Sequence, residues 1–296
     1  SDIVRTSMEL NIPQTYLLMA RTAWTYIGSG ALWRLMRLRK GPVMAALYPV
    51  GMLILQLVVA LLAGWIVGGV LKWAVVAVVP GVLPHLVFWL ALVAVLVAVL
   101  RAFRRYDNKL FVYYLMHDYA YSARSRGANP PELEARIAAF ADQIAAALAE
   151  DVDEVLVVGH SSGAHLGVSI LADLDRAGRI PADGPALGFL TLGQVVPMVS
   201  FLSDADRLRR DLHDLSTSDN LFWLDVTAPG DGCAFALCDP VAVSGVAPEG
   251  QRWPLVISAA FTQTLSPERC AELRWRFFRL HFQYLCAFDR PGDYDY

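Results

Sequence analysis

Charge is scarce in this chain. Only 18% of its 296 residues are Asp, Glu, Lys or Arg, and the formal net charge is −3. Once the arginines flanking the apolar runs are set aside, no basic stripe remains, which excludes an electrostatic nucleic-acid surface. Cysteine is scarce too: Cys233, Cys238, Cys270 and Cys286 all lie in the last quarter. Cys233 and Cys238 have no histidine pair nearby, so their spacing makes no zinc site, and neither a metal nor a cofactor is expected. Unpaired thiols suit a reducing compartment. There is no internal repeat and no low-complexity tract, which leaves out solenoids and tandem arrays. Residues 1–40 lack the layout of a signal peptide, because the apolar run starts too late and no small-residue cleavage site follows it. The sequence opens on Ser1 rather than Met, so a preceding segment is expected to have been removed or left out.

Apolar residues are in excess: 56% of the chain, with a mean hydropathy of +0.42. The excess is local. Between Gly41 and Leu100 the main polar exceptions are Gln56, Lys72 and His85. Val43–Leu71 is long enough, at about 1.5 Å per residue, to cross a hydrocarbon core of about 30 Å with tilt. A second run, Pro84–Leu100, is near the lower length limit for a span. The breakers in "VVPGVLP" (Val78–Pro84) suit a tight turn between them. Arg34, Arg37, Arg39 and Lys40 precede the first run, Arg101, Arg104, Arg105 and Lys109 follow the second, and the turn carries only Lys72. The positive-inside bias then puts both ends in the cytoplasm and makes the lipid bilayer a partner. Before the hairpin, Tyr16, Ala20, Trp24, Ile27, Ala31, Leu35 and Leu38 recur at helical spacing. Gly28 and Gly30 argue against one unbroken helix. The segment reads either as an interfacial helix or as a helix packed on the globular part. Three segments are expected: 1–40, a hairpin over 41–105 and a globular domain over 106–296.

The globular part alternates strand and helix. "KLFVYYLMHDYA" (Lys109–Ala120) reads as a strand of aromatic and β-branched residues. Pro130–Glu150 reads as a helix, with prolines and acids at its start and an apolar stripe through Leu133, Ile137, Phe140, Ile144 and Leu148. Strands follow at Glu154–Val158, Ala186–Gly193, Leu221–Asp231 and Trp253–Phe261, with helices over Ala164–Ala177 and from Pro267 to about Arg279. Strands separated by helices imply an α/β fold with a mostly parallel sheet.

The chemistry concentrates in "VVGHSSGAHL" (Val157–Leu166). A Gly-x-Ser-x-Gly match is weak alone. It gains force here because an apolar strand ends at it, small residues allow a sharp turn, and a helix follows at once. Such a turn lifts the Ser161 hydroxyl above the sheet edge. The Ser162 backbone N–H, at the helix start, is placed to stabilise an oxyanion.

This stretch resembles the nucleophile elbow of the α/β-hydrolase superfamily, with the order Ser…Asp…His available downstream. The resemblance covers about Lys109 to Tyr296, and with the embedded hairpin the whole looks like a membrane-anchored, proteobacterial branch of that superfamily. It implies a sheet of α/β-hydrolase type and a Ser-His-Asp triad. His281, in "RLHFQYL" after the last strand, is the best match for the base. His85 lies at the far membrane face, His117 ends an upstream strand, His165 is on the helix after the elbow, and His213 precedes the acids. His160 points away from the serine's side chain. Asp231 holds the position the family favours for the acid; Asp239, in "DPV", is the alternative. The implied activity is that of a serine hydrolase, esterase-, lipase- or thioesterase-like, whose partner is an ester or acyl-lipid substrate. One part is missing. The family's second oxyanion donor follows a strand that has no counterpart here, so either an upstream segment supplies it, or residues around His117 and Asp118 replace it, or the enzyme is impaired. The alternative function is a non-catalytic subunit or assembly factor of a membrane protein complex that retains the hydrolase fold.

Overall fold

Glycine, proline and side-chain caps decide where the first helices begin and end. The structure, a computed structural model, describes residues 10–290; residues 1–9 and 291–296, the outer ends of the first and last expected segments, lie outside it. Helix α1 (Ile12–Gly28) starts on a reciprocal cap. Asn11 Oδ1 accepts from Gln14 N–H, and Gln14 Oε1 accepts from Asn11 N–H, which satisfies donors the first turn leaves open. The chain breaks at Gly30, whose φ of 71° favours glycine, and resumes as α2 (Ala31–Leu38). Arg39, extended at φ −159°, separates α2 from α3 (Lys40–Val76).

Helices α3 and α4 (Leu83–Arg105) are long and apolar enough to cross a membrane, with mean hydropathies of 2.5 and 2.6 over their most apolar windows. They run antiparallel and close. A Cβ on Gly64 would lie 2.8 Å from the Leu92 carbonyl oxygen, and one on Gly68 the same distance from that of Phe88. Small residues at such positions let two backbones approach.

The expected strand Lys109–Ala120 is instead helical: one turn over Asp107–Leu110, then α5 (Val112–Arg124). Two physical causes outweigh the β-propensity of its aromatics. Asp107 accepts from the N–H groups of Tyr113 and Tyr114 and so caps α5 from a distance. Val112, Tyr113, Met116 and Ala120 recur at helical spacing and are buried with Leu18 of α1 and Leu53 of α3. Tyr16 and Tyr48 donate to the carbonyls of Leu53 and Leu110.

The chain divides into two compact units, Ser1–Ala23 with Ala46–Tyr121, and Trp24–Ala45 with Ser122–Tyr296. Their bounds cut across the three expected segments. Residues 106–121 belong with the apolar helices, and 24–45 belong with the sheet. The second assignment has specific bonds behind it: Tyr26 donates to the Met198 carbonyl, and Arg34 donates to the Phe201 carbonyl while lying over the Phe201 ring.

The second unit is α/β. Four parallel strands, β1 (Glu154–His160), β2 (Ala186–Leu192), β3 (Phe222–Thr227) and β4 (Leu255–Ser258), lie in the order β1-β2-β3-β4. Among the described residues no strand precedes β1, which is therefore an edge. Period-two alternation sorts the side chains. Phe189, Trp223 and Asp225 fall on one face, where Phe189 meets Gly167 of α7 (Gly163–Arg176) so closely that a Cβ there would lie 2.6 Å from its ring. Helices α6 (Pro131–Ala147) and α8 (Asp206–Leu215) both pack on α7, and Arg207 of α8 pairs with Glu134 of α6 and Asp173 of α7. Leu190, Leu192 and Val226 fall on the opposite face, buried with Phe261, Leu265, Leu273 and Tyr284 from the segment after β4. That segment holds α9 (Pro267–Leu273) and α10 (Phe277–His281), two short helices where one longer helix was expected.

Candidate active site at the carboxyl ends of the strands

The turn after β1 is strained and fixed. Ser161 has φ 57°, a left-handed conformation that costs an L-residue about 1–2 kcal/mol. Two backbone bonds hold it there: its N–H donates to the Leu192 carbonyl at 2.9 Å, and its carbonyl accepts from Ala164 N–H at 3.2 Å. The glycines are obligatory in part, since a Cβ on Gly159 would lie 2.8 Å from the Gly163 carbonyl oxygen. Ser162 follows, just before the first residue of α7, and makes no side-chain cap. Among the described residues its backbone N–H has no acceptor.

Asp231 and His281, fifty residues apart, meet beyond β3 and β4. His281 Nδ1 lies 2.7 Å from Asp231 Oδ2, with both groups buried. An ionised carboxylate only accepts, so the imidazole donates from Nδ1 and its Nε2 is left as the proton acceptor. Asp231 is held on every side. Its Oδ1 accepts from Cys233 N–H at 2.8 Å, and its Oδ2 also accepts from the Tyr284 hydroxyl at 3.1 Å, which itself accepts from Ala228 N–H. The ring of His281 sits over Gly193, the residue after Leu192. A Cβ there would lie 3.1 Å from His281 Cε1 and 2.7 Å from the Tyr284 ring. Since the Leu192 carbonyl takes the Ser161 N–H, base and serine turn are anchored to neighbouring residues of one strand end.

Asp239 is placed otherwise. Its Oδ1 caps the one-turn helix Pro240–Val243 through Val241 and Ala242 N–H, and its Oδ2 accepts from Gln251. Asp225, mid-strand on β3, is buried and accepts from Thr191, which in turn accepts from the Trp223 indole. Burial pushes its carboxyl up to about 7.

The remaining histidines are scattered. His165 is half-buried on α7, where desolvation of its ring lowers it to about 4. His117 lies on α5 of the helical unit, bonded to the Tyr113 carbonyl, and His213 on α8 reaches the Val246 carbonyl. With α5 a helix in place of a strand, His117 and Asp118 end no strand.

Three participants escaped the sequence reading. His160, set aside because its side chain points away from that of Ser161, has its Nε2 2.9 Å from the His281 carbonyl, and its ring lies 4.7 Å from the His281 ring and 4.9 Å from that of Phe282. Burial lowers its pKa, which favours the neutral ring as a strut. Tyr284 stood only as one letter of "RLHFQYL" and had no role assigned. Arg39 counted only as a membrane flank, yet its guanidinium donates to the carbonyls of Pro229 and Ala236 on either side of Asp231. Next to it, Gly41 lies so near Gly232 that a Cβ would come 2.9 Å from the Gly232 oxygen. All these contacts are long-range, and no local pattern announces them.

Ligand atoms of Asp231, Cys233 and His281 fall within 4.8 Å of one another, a spacing that a metal ion could bridge. The chemistry of the donors argues otherwise. Both Asp231 oxygens are already engaged, and burial beside that carboxylate pushes the Cys233 thiol up to about 12, against the thiolate a metal needs. An open cleft of about 800 Å³ between Leu148–Asp153 and Arg179–Pro185 lies at the amino ends of β1 and β2, opposite the end where parallel sheets place their chemistry. No protein-family model, no curated protein and no solved structure matches this chain.

Proposed function

We propose that this chain is a membrane-anchored serine hydrolase of α/β-hydrolase type, acting on an ester or thioester with a lipid-like acyl group. The observation that carries the reading is the buried His281–Asp231 contact at 2.7 Å, beside a serine turn at φ 57°. Its support is the order of parts along one parallel sheet: serine after β1, acid after β3, base after β4. In the reaction, Ser161 Oγ adds to the substrate carbonyl carbon as His281 Nε2 takes its proton. Asp231 holds the imidazole in the required tautomer and stabilises the imidazolium. The Ser162 N–H donates to the oxyanion. His281 returns the proton to the leaving alcohol or thiol, and water, activated by the same imidazole, releases the acyl group from Ser161. The two apolar helices form a hairpin through a bacterial inner membrane with both ends cytoplasmic, a reading supported by the basic residues at those ends.

A fluorophosphonate probe on the full chain in detergent micelles tests the reading. Labelling is expected on Ser161, absent in Ser161→Ala, and slowed by about 10³–10⁴ in Asp231→Asn, where the wrong tautomer is held. Wild-type protein that stays unlabelled while folded would sink the proposal.

One observation favours a second reading, a non-catalytic subunit or assembly factor of a membrane complex. Among the described residues no strand precedes β1, so the family's second oxyanion donor has no strand to follow. Stable co-purification with a membrane complex, together with full function of Ser161→Ala, would select this reading.

A further inference from the structure

The segment that carries His281 turns one side inward and another outward. Leu273 and His281 are buried and Leu280 packs beneath them, whereas Trp275 is 75% exposed, Phe277 53% and Phe282 52%. Trp275 has φ 65°, a conformation rare for a bulky side chain, with its ring set edge-on to Phe277 and under the Arg274 guanidinium. Between and beside these rings stand Arg274, Arg276 and Arg279, all exposed, with no acid between residues 274 and 288. Glu272, already paired with Arg269 at 2.6 Å, comes no nearer than 3.7 Å to Arg276 and Arg279. In a chain of net charge −3, this is a concentrated cationic and aromatic patch.

Two contacts tie the patch to the rest. Phe282 leans on His160, the residue before Ser161. Phe277 lies against Gly232, which is also the residue met by Gly41 in the first turn of α3. The patch is thus continuous with the point at which the chain enters its long apolar helix. Exposed tryptophan and phenylalanine with interleaved arginine match the headgroup region of a bilayer with anionic lipid, where rings enter the acyl boundary and guanidinium groups pair with phosphates.

We propose that Arg274–Phe282 is a docking face for an anionic lipid surface, which holds the base-bearing segment at the membrane independently of the apolar helices. The inference rests on the membrane-spanning reading of α3 and α4, and it stands whether or not Ser161 is a nucleophile. Cys286, the exposed cysteine next to this face, provides the reporter. The full chain is placed in lipid nanodiscs of phosphatidylcholine with or without phosphatidylglycerol, with a nitroxide on Cys286. Collisions with oxygen, which enriches in hydrocarbon, are compared with collisions with a water-soluble nickel chelate. Control labels sit at Glu150→Cys, on the far end of the sheet, and at Trp65→Cys in α3, each with Cys286→Ser.

The expected result is a shift at Cys286 toward oxygen and away from nickel when phosphatidylglycerol is present. That shift should be lost in the Arg274→Gln/Arg276→Gln/Arg279→Gln variant and reduced in Trp275→Ser, with position 150 unchanged throughout. A Cys286 label as open to nickel as position 150, or values independent of phosphatidylglycerol, overturns the proposal. So does a label shielded from both reagents, which indicates a protein partner. If position 65 also fails to favour oxygen, the spanning reading itself has failed; if position 65 favours oxygen and Cys286 does not, only the docking face has.

Discussion

Trp65 and Trp223 stand in opposite settings. Trp223 is fully buried on β3, its indole donating to Thr191, while Trp65 on α3 is 63% exposed among Leu61, Leu62 and Ile66, all outward. Both units hold large apolar side chains and arrange them differently. In the sheet unit Phe189, Trp223, Phe235 and Phe261 are buried, as water requires, whereas the rings of Trp275, Phe277 and Phe282 stay exposed. In the helical unit many of them face outward, while Thr15, Thr22 and Gln56 are buried. An all-round apolar helix satisfies its own backbone and needs no apolar partner where lipid is the solvent. The difference teaches that hydrophobicity alone does not say which way a side chain points; the surrounding solvent and the available partners do.

The sharpest way to break that comparison is to truncate one large side chain in each unit. Phe189→Ala should cost about 3–5 kcal/mol, because the ring fills the space against α7. Leu62→Ala, on the outward side of α3, should stay within about 0.5 kcal/mol. Denaturant titration of the full chain in one detergent reads both, and equal costs would erase the distinction between the two interiors.

Next in size is a pH effect confined to the sheet unit. Asp225 has its folded pKa raised to about 7 by burial, so between its unfolded value near 4 and 7 the folded state binds more protons than the unfolded one. Stability from this group is therefore full at low pH and falls as pH rises toward 7. Asp225→Asn keeps an acceptor for Thr191, and should stabilise the chain by about 2–4 kcal/mol at pH 8 and by little near pH 4. Thermal melts across that range check the sign; a gain largest at acid pH would contradict it.

The smallest expected effect probes the helical unit. Gly64→Ala forces α3 and α4 apart, since its Cβ would meet the Leu92 carbonyl, and should cost about 1–3 kcal/mol. Gly69→Ala has open space and should be neutral or slightly favourable. A melt of the helical signal in matched micelles separates them. If the two variants behave alike, the close pairing of the helices is not what holds this unit together.

Local pattern was enough for several elements. The apolar runs were legible because composition marks them without any partner, although α3 extends past the expected span at both ends. The four strands and the helix after the serine turn were legible from β-branched runs, glycine and helical spacing. Lys109–Ala120 was misread because aromatic residues suit strand and helix alike, and only the cap from Asp107 and burial against α1 and α3 decide between them. The site divides the same way. Ser161 was legible because a strand end, small residues and a following helix are local. Asp231 and His281 could be ranked by position, but the choice between Asp231 and Asp239 waits on which one reaches an imidazole fifty residues away.

The sequence by itself determined that two helices are apolar on all sides, that a parallel α/β unit follows, and that a serine sits in a sharp turn between strand and helix, because each depends on residues within a few positions of one another. Only the tertiary structure decided that His160 braces His281, that Tyr284 and Cys233 hold Asp231, and that Arg39, written as a membrane flank, grips the loop of the acid. The physical reason is range. Strain, capping and hydropathy act along the chain, whereas a hydrogen bond between Asp231 and His281 exists only once β3 and β4 have paired and brought their carboxyl ends side by side.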